Sequence, residues 1–233
     1  MTTIAQALEK NRYPGNGMLF GTSSNGRFAV LAYFIMERDS HSQNYVFGLD
    51  GENVRITPFL SETFCGGDSS LYTPVYVLGG LTIMGNGEHT DLVRKAVLEG
   101  KAWTDPLQTQ YYEICPPFYS PRITGRLALE DTGFSYELAI IKRMEEGKMQ
   151  RSVFSYPQPI AGMGHFIYDY QDGLCSWDSF QGEPRQVQIH DGLRGFANDV
   201  WNALDEEFRI SLFTRRIDLI TGQSQTMIVN KNY

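Results

Sequence analysis

From Phe28 to Met36 the chain reads FAVLAYFIM, with apolar residues at odd and even positions alike. A strand with one wet face would alternate, so this segment predicts a central strand covered on both sides. Shorter runs at Asn44 to Leu49, Val54 to Phe59, Val75 to Leu78 and Leu81 to Met84 predict further strands. The pair Gly79-Gly80 between the last two predicts a hairpin turn, because adjacent glycines accept positive φ. Arg122 to Leu129 and Phe134 to Lys142 flank a second turn signal, Glu130-Asp131-Thr132-Gly133. Ser211 to Ile220 and Gln225 to Val229 flank a third, Thr221-Gly222-Gln223-Ser224. Hairpins of this kind build antiparallel sheet.

Helical periodicity is rarer. Leu92, Val93, Ala96 and Val97 fall on one side of a helix that Thr90 or Asp91 can cap and Gly100 can end. Leu193, Phe196, Ala197, Val200, Trp201 and Leu204 mark a second helix over about Asp191 to Glu207, and Ile4 to Asn11 suits a short third. Tyr156-Pro157-Gln158-Pro159 followed by Gly162-Met163-Gly164 reads as an ordered loop near a site. No repeat or linker breaks the chain, so residues 1–233 are expected to form one α+β domain. Two antiparallel sheets would face each other, with helices over the outer faces.

Composition narrows the function. An apolar share of 42% supports a substantial core. A formal charge of −7 argues against nucleic acid as a partner, which usually requires a basic footprint. No apolar run approaches the ~20 residues of a membrane span, and the first residues lack a charged-then-apolar leader. Cys65, Cys115 and Cys175 are odd in number and far apart, which indicates neither a disulfide framework nor a zinc motif. The expectation is a cytoplasmic protein. His41, His89, His165 and His190 show no ligand spacing, so no metal site is expected. Composition leaves open whether the chain forms a homo-oligomer.

Three turns are rich in small and hydrogen-bonding residues: Gly21-Thr22-Ser23-Ser24-Asn25-Gly26-Arg27-Phe28, Met84-Gly85-Asn86-Gly87-Glu88-His89-Thr90-Asp91, and Phe118-Tyr119-Ser120-Pro121-Arg122-Ile123. Such turns can turn backbone N–H groups toward an anion. Together they point to a polar, phosphorylated small molecule. The order of these segments, with Tyr72 between the first two, resembles the archaeal-type inosine monophosphate (IMP) cyclohydrolases and their bacterial relatives. The stretches Tyr156-Pro157-Gln158-Pro159-Ile160-Ala161-Gly162-Met163-Gly164-His165-Phe166-Ile167 and Ser211-Leu212-Phe213 to Thr221-Gly222 are similar to the bacterial branch. The likeness spans about residues 12–232.

That resemblance implies a four-layer αββα sandwich like that of the N-terminal-nucleophile hydrolases, without a self-processed nucleophile. It implies closure of the formylated aminoimidazole carboxamide ribonucleotide to IMP with loss of water. The ligand is then a purine ribonucleotide, and the reaction needs no cofactor. Both reacting groups belong to one molecule, so the enzyme's share is to fix the reactive rotamer, stabilise the departing oxygen and move protons. Tyr72 matches a phenol beside the formyl group. Glu113 matches a carboxylate that acts as base on the carboxamide or orients it. Ser23, Asn25, Gly26, Arg38, Asn86, His89, Thr90, Asp91 and Arg122 match positions expected to contact substrate.

On residue type alone each has a plainer reading: a core tyrosine, a surface glutamate, an N-capped helix, a strand-end arginine. One segment also departs from the pattern. The family reads Gly-Arg-Ser-x-x-Ser-Arg-Asn-Arg where this chain keeps Arg38, Ser42 and Asn44 but has Gln43 and Tyr45, and Tyr76 stands where arginine is common. Neither glutamine nor tyrosine offers a fixed charge with a donor fork. Phosphate would then fall to Arg38, Arg122 or Arg12, or the chain would be a purine-nucleotide-binding module of the same fold without the chemistry.

Overall fold

The computed structural model describes residues 1–38, 43–60, 71–115, 118–144, 147–171, 174 and 178–232. One antiparallel sheet is built from β1 (Gly17–Thr22), β2 (Phe28–Met36), β12 (Met163–Tyr168), β13 (Arg185–Gln188), β14 (Arg209–Asp218) and β15 (Ser224–Asn230), in the order β13-β12-β1-β2-β14-β15. A second contains β3 (Tyr45–Asp50), β4 (Asn53–Pro58), β5 (Val75–Leu78), β6 (Leu81–Gly85), β9 (Arg122–Glu130), β10 (Gly133–Arg143) and β11 (Met149–Tyr156), in the order β11-β10-β9-β6-β5-β4-β3. The short strands β7 (Glu113–Cys115) and β8 (Phe118–Ser120) pair with each other. With few helices beside this much sheet, the class is α+β.

The two large sheets meet through their aromatic side chains. Phe20 of β1 stacks on Tyr136 of β10, and Tyr33 of β2 stacks on Phe47 of β3, each with ring centroids 5.8 Å apart. Along β10 of the second sheet the side chains alternate between two clusters. Leu138 and Ile140 enter the main core, whereas Ala139 and Ile141 join Ile83 and Val93 in a separate cluster beneath α2 (His89–Leu98). The first sheet carries α3 (Leu193–Ala203), which buries Phe196, Ala197 and Val200 and lies along β14, with α1 (Ile4–Leu8) against α3 and β13.

Strand β2 is central and buried on both faces, in line with its unbroken apolar run. The Gly79-Gly80 hairpin forms with Gly79 at φ 62°. The helix expected at Thr90 or Asp91 starts earlier, at His89 with Glu88 before it, and α3 is shorter than 191–207. The loop expected around Gly162 is a strand on its far side, β12, and at the Gly21–Gly164 pair β1 and β12 approach so closely that a side chain on Gly21 is excluded. A Cβ on Gly21 would lie 2.5 Å from both Gly164 Cα and Met163 O, which are backbone atoms and cannot rotate away. Gly21→Ala is therefore expected to cost about 1–3 kcal/mol or more, as overpacking does. Urea unfolding measures it, and an unchanged midpoint would contradict the packing.

The register of β1 also fixes two ends. Gly17 lies opposite Tyr168 and Phe34, while Thr22 lies opposite Ala29. Residues flanking Gly17, Tyr168 and Met36 thus share one end of the sheet. Residues 23–27 occupy the other, five steps or ~17 Å along the strand.

Candidate functional site

The end marked by Gly17 gathers a group of titratable side chains. Tyr72, just before β5, is half-buried against the main core, with its hydroxyl 2.8 Å from that of Tyr33. Burial pushes both phenols above their ordinary range, and the carboxylates of Asp169 and Glu37 push in the same direction. Tyr72 is consequently a protonated donor at neutral pH. Arg122, the first residue of β9, works against that rise in Tyr72, so guanidinium and phenol share one electrostatic environment. Glu113 of β7 lies 3.5 Å from Arg122 Nη1. Arg38, the next residue after β2 and Glu37, lies over the Tyr13 ring, 5.7 Å from its centroid. The structure thus brings Tyr72, Glu113, Arg122 and Arg38 to the same end of the molecule.

Asn86 is there too, but its amide is committed. Its Nδ2 donates to Pro121 O at 2.9 Å and to Asp169 Oδ1 at 2.8 Å, and its Oδ1 accepts from Ile123 N at 2.8 Å. It therefore brackets Arg122 on both sides, a supporting task that the sequence did not suggest. Gly87 leaves room for the same arginine: a Cβ there would sit 2.0 Å from Arg122 Nη1.

His89 lies behind this segment. Only 2% exposed, it places Nε2 2.9 Å from Thr124 Oγ1 and 3.2 Å from Ile123 O. Burial, with some help from Arg122, lowers its pKa to about 3, so the ring is neutral at pH 7. Thr90 spends both its hydroxyl and its N–H on Gly87 O, and Asp91 N–H donates to Glu88 O. Those helix-start amides are consequently engaged within the chain. The Asp91 carboxylate accepts from Tyr76 on the outer face of the sheet, with Arg94 over the Tyr76 ring.

Ser23, Asn25 and Gly26 lie at the opposite end of β1 and β2 from Tyr72. Ser23 Oγ donates to Asn25 Oδ1 at 2.8 Å and accepts from Phe28 N, and Asn25 N donates to Asp191. This geometry closes a hairpin turn, with Gly26 at φ 71°.

The substituted arginine positions also find places. Gln43 donates to the carbonyls of Glu37 and Glu207. Tyr45 is buried in the main core. Tyr76 packs in the outer cluster, so an arginine there would not face Tyr72. Arg12 is taken by Asp205 at 2.6 Å and Glu207 at 3.3 Å. Ser42 lies outside the described residues.

Sequence reading missed Tyr33, Glu37 and Asp169. Asp169 is 2% exposed and accepts from Asn16 N at 2.8 Å and Asn16 Nδ2 at 2.9 Å besides Asn86. Burial dominates and holds its pKa well above the usual carboxylate range, against the pull of the three N–H donors. Tyr170 joins the group through Ser120, hydroxyl to hydroxyl at 2.5 Å. Among the described residues no cluster of three or more His, Cys, Asp or Glu is placed to hold a metal, and no helix is long and apolar enough to cross a membrane.

Two histidines, His89 buried and His165 half-buried, predict a pH dependence. His165 on β12 meets the Tyr136 hydroxyl at 2.7 Å and stacks on Tyr156, and burial lowers its pKa to about 4. Unfolding returns both histidines to ~6.5 and takes up protons below that value. Stability is therefore complete above pH ~6.5 and falls as pH drops toward the folded-state values, by at most ~1.4 kcal/mol per unit for each ring. Melting curves between pH 7.5 and 5 should show the decline, and His89→Gln should flatten it. An equal slope in that variant would remove His89 from the account.

The protein family described as IMP cyclohydrolase-like protein matches residues 13–223, and the chain belongs to it. No curated protein matches the chain.

Proposed function

We propose that this member of the IMP cyclohydrolase-like family closes the formylated aminoimidazole carboxamide ribonucleotide to IMP with release of water. The observation that carries the reading is the convergence of a half-buried, protonated phenol, Tyr72, with the Arg122–Glu113 ion pair at one end of two facing sheets. Ring closure needs a donor at the formyl oxygen and a base or orienting acceptor at the carboxamide nitrogen. Tyr72 donates to the oxygen as it becomes a hydroxyl and then leaves as water. Glu113, steadied by Arg122, accepts from the carboxamide N–H while the nitrogen attacks the formyl carbon. Arg38 and Arg122 hold the phosphate. Asn86, His89 and Thr90 act from behind as supports, and Asp91 and the Ser23, Asn25 and Gly26 turn have structural roles.

The facing sheets with helices outside them support the finer fold reading, a four-layer αββα arrangement of the N-terminal-nucleophile type without self-processing. The second reading, a purine-nucleotide-binding module without turnover, is favoured by Gln43, whose amide is tied to backbone carbonyls where relatives carry a guanidinium. Ultraviolet spectroscopy separates the two. Purified protein mixed with the formylated ribonucleotide should develop the absorbance of IMP, whereas tight binding with no spectral change would establish the module instead.

A further inference from the structure

Asp169 is a carboxylate that no part of the proposed chemistry uses, and it is among the most deeply buried polar groups of the chain. Enclosing a carboxylate costs several kcal/mol unless it is well compensated. Here its partners are amide N–H groups. Oδ2 receives two donors from Asn16, at the entry to β1 in the first sheet, and Oδ1 receives Asn86 Nδ2, at the exit of β6 in the second. Asp169 itself follows β12 of the first sheet, and its N–H donates to Asn16 O. The Asp169–Asn86 bond consequently crosses from one sheet to the other. On the far side Asn86 holds Pro121 O and Ile123 N, the backbone groups on either side of Arg122.

Resting on the reading of this end as the nucleotide site, we propose that Asp169 is a positioning residue: its carboxylate ties the sheets together through Asn86 and thereby sets where Arg122 stands relative to Tyr72. All three partners are N–H donors and each oxygen accepts at least one, so only a side chain with two acceptor oxygens can serve both asparagines. An asparagine at 169 would keep one acceptor for the Asn16 donors and turn an NH₂ toward the NH₂ of Asn86. The volume would be conserved and the bond between the sheets lost.

The test is affinity for IMP, by calorimetry, in Asp169→Asn, Arg122→Ala and the double variant, with thermal melting as the control for folding. Asp169→Asn should weaken IMP about ten- to a hundredfold, the scale of one buried unpaired donor. In the Arg122→Ala background the same change should cost less than about threefold, because both substitutions act on one guanidinium. A merely structural aspartate would give losses that multiply. Multiplying losses, or Asp169→Asn binding like the wild type, would overturn the proposal. Should Asp169→Asn not fold, Asn86→Ala breaks the same bond from its other end, and unchanged affinity in that folded variant would overturn it equally. A wild-type protein that binds neither IMP nor its formylated precursor would instead remove the functional reading beneath it.

Discussion

Tyr72→Phe is expected to lower kcat for ring closure by about 10²-fold or more, the usual effect of losing an acid or oxyanion donor. The substitution keeps the ring in its contacts with the main core and removes only the hydroxyl. Stability should change little, by about 1 kcal/mol, since one hydrogen bond to Tyr33 is lost. KM should move much less than kcat, because the phenol matters most when charge gathers on the formyl oxygen. Tyr33→Phe is the informative companion. It touches Tyr72 rather than the substrate, so its loss should be smaller. Single-turnover formation of IMP measures both, and a Tyr72→Phe protein with wild-type turnover would end the assignment.

Arg122→Ala is expected to reduce kcat/KM by about 10²-fold, because the fork that braces Glu113 and meets the anionic ligand disappears. Glu113 is then left without its 3.5 Å ion pair. Arg122→Lys should recover less than tenfold, since a point ammonium cannot replace a planar fork whose direction the flanking backbone fixes. Gly87→Ala approaches the same group without touching its charge. Its Cβ would lie 2.0 Å from Nη1, so the guanidinium must move. Activity should fall while the protein remains folded. Arg122→Ala at full kcat/KM would show that the ligand is held elsewhere.

The legible parts of this chain were those where one strand or helix carries its own signal. β2 is apolar on both faces because both of its faces are buried, and that run is visible without any partner. The β9–β10 and β14–β15 hairpins carry their turn residues with them. Strands β1 and β12 were not visible. Their glycines read as breakers, yet Gly21 and Gly164 are there because the two backbones nearly touch. β11, MQRSVFSY, is an edge strand whose mixed faces give no clean alternation.

The site divides the same way. Asn86 and Arg122 stood out in short polar turns, whereas Tyr72, Glu113 and Arg38 came from the family resemblance. Tyr33 was hidden inside an apolar run, where a tyrosine counts as core. Asp169 sits between two tyrosines with no motif at all. Its partners, Asn16 and Asn86, are 153 and 83 residues away.

By itself, the sequence determined the α+β class, the main hairpins, the resemblance to a family and a short list of polar residues for the site. Local patterning decides those, and it is written in neighbouring residues. Only the tertiary structure decided which candidates share an end of the molecule. It set Tyr72 beside Tyr33, spent the Asn86 amide on Asp169 and the backbone around Arg122 and the Thr90 N–H on Gly87 O, and carried Ser23 and Asn25 to the far end of β1. Those outcomes depend on strand register and on the approach of two sheets, which pair residues far apart in the chain.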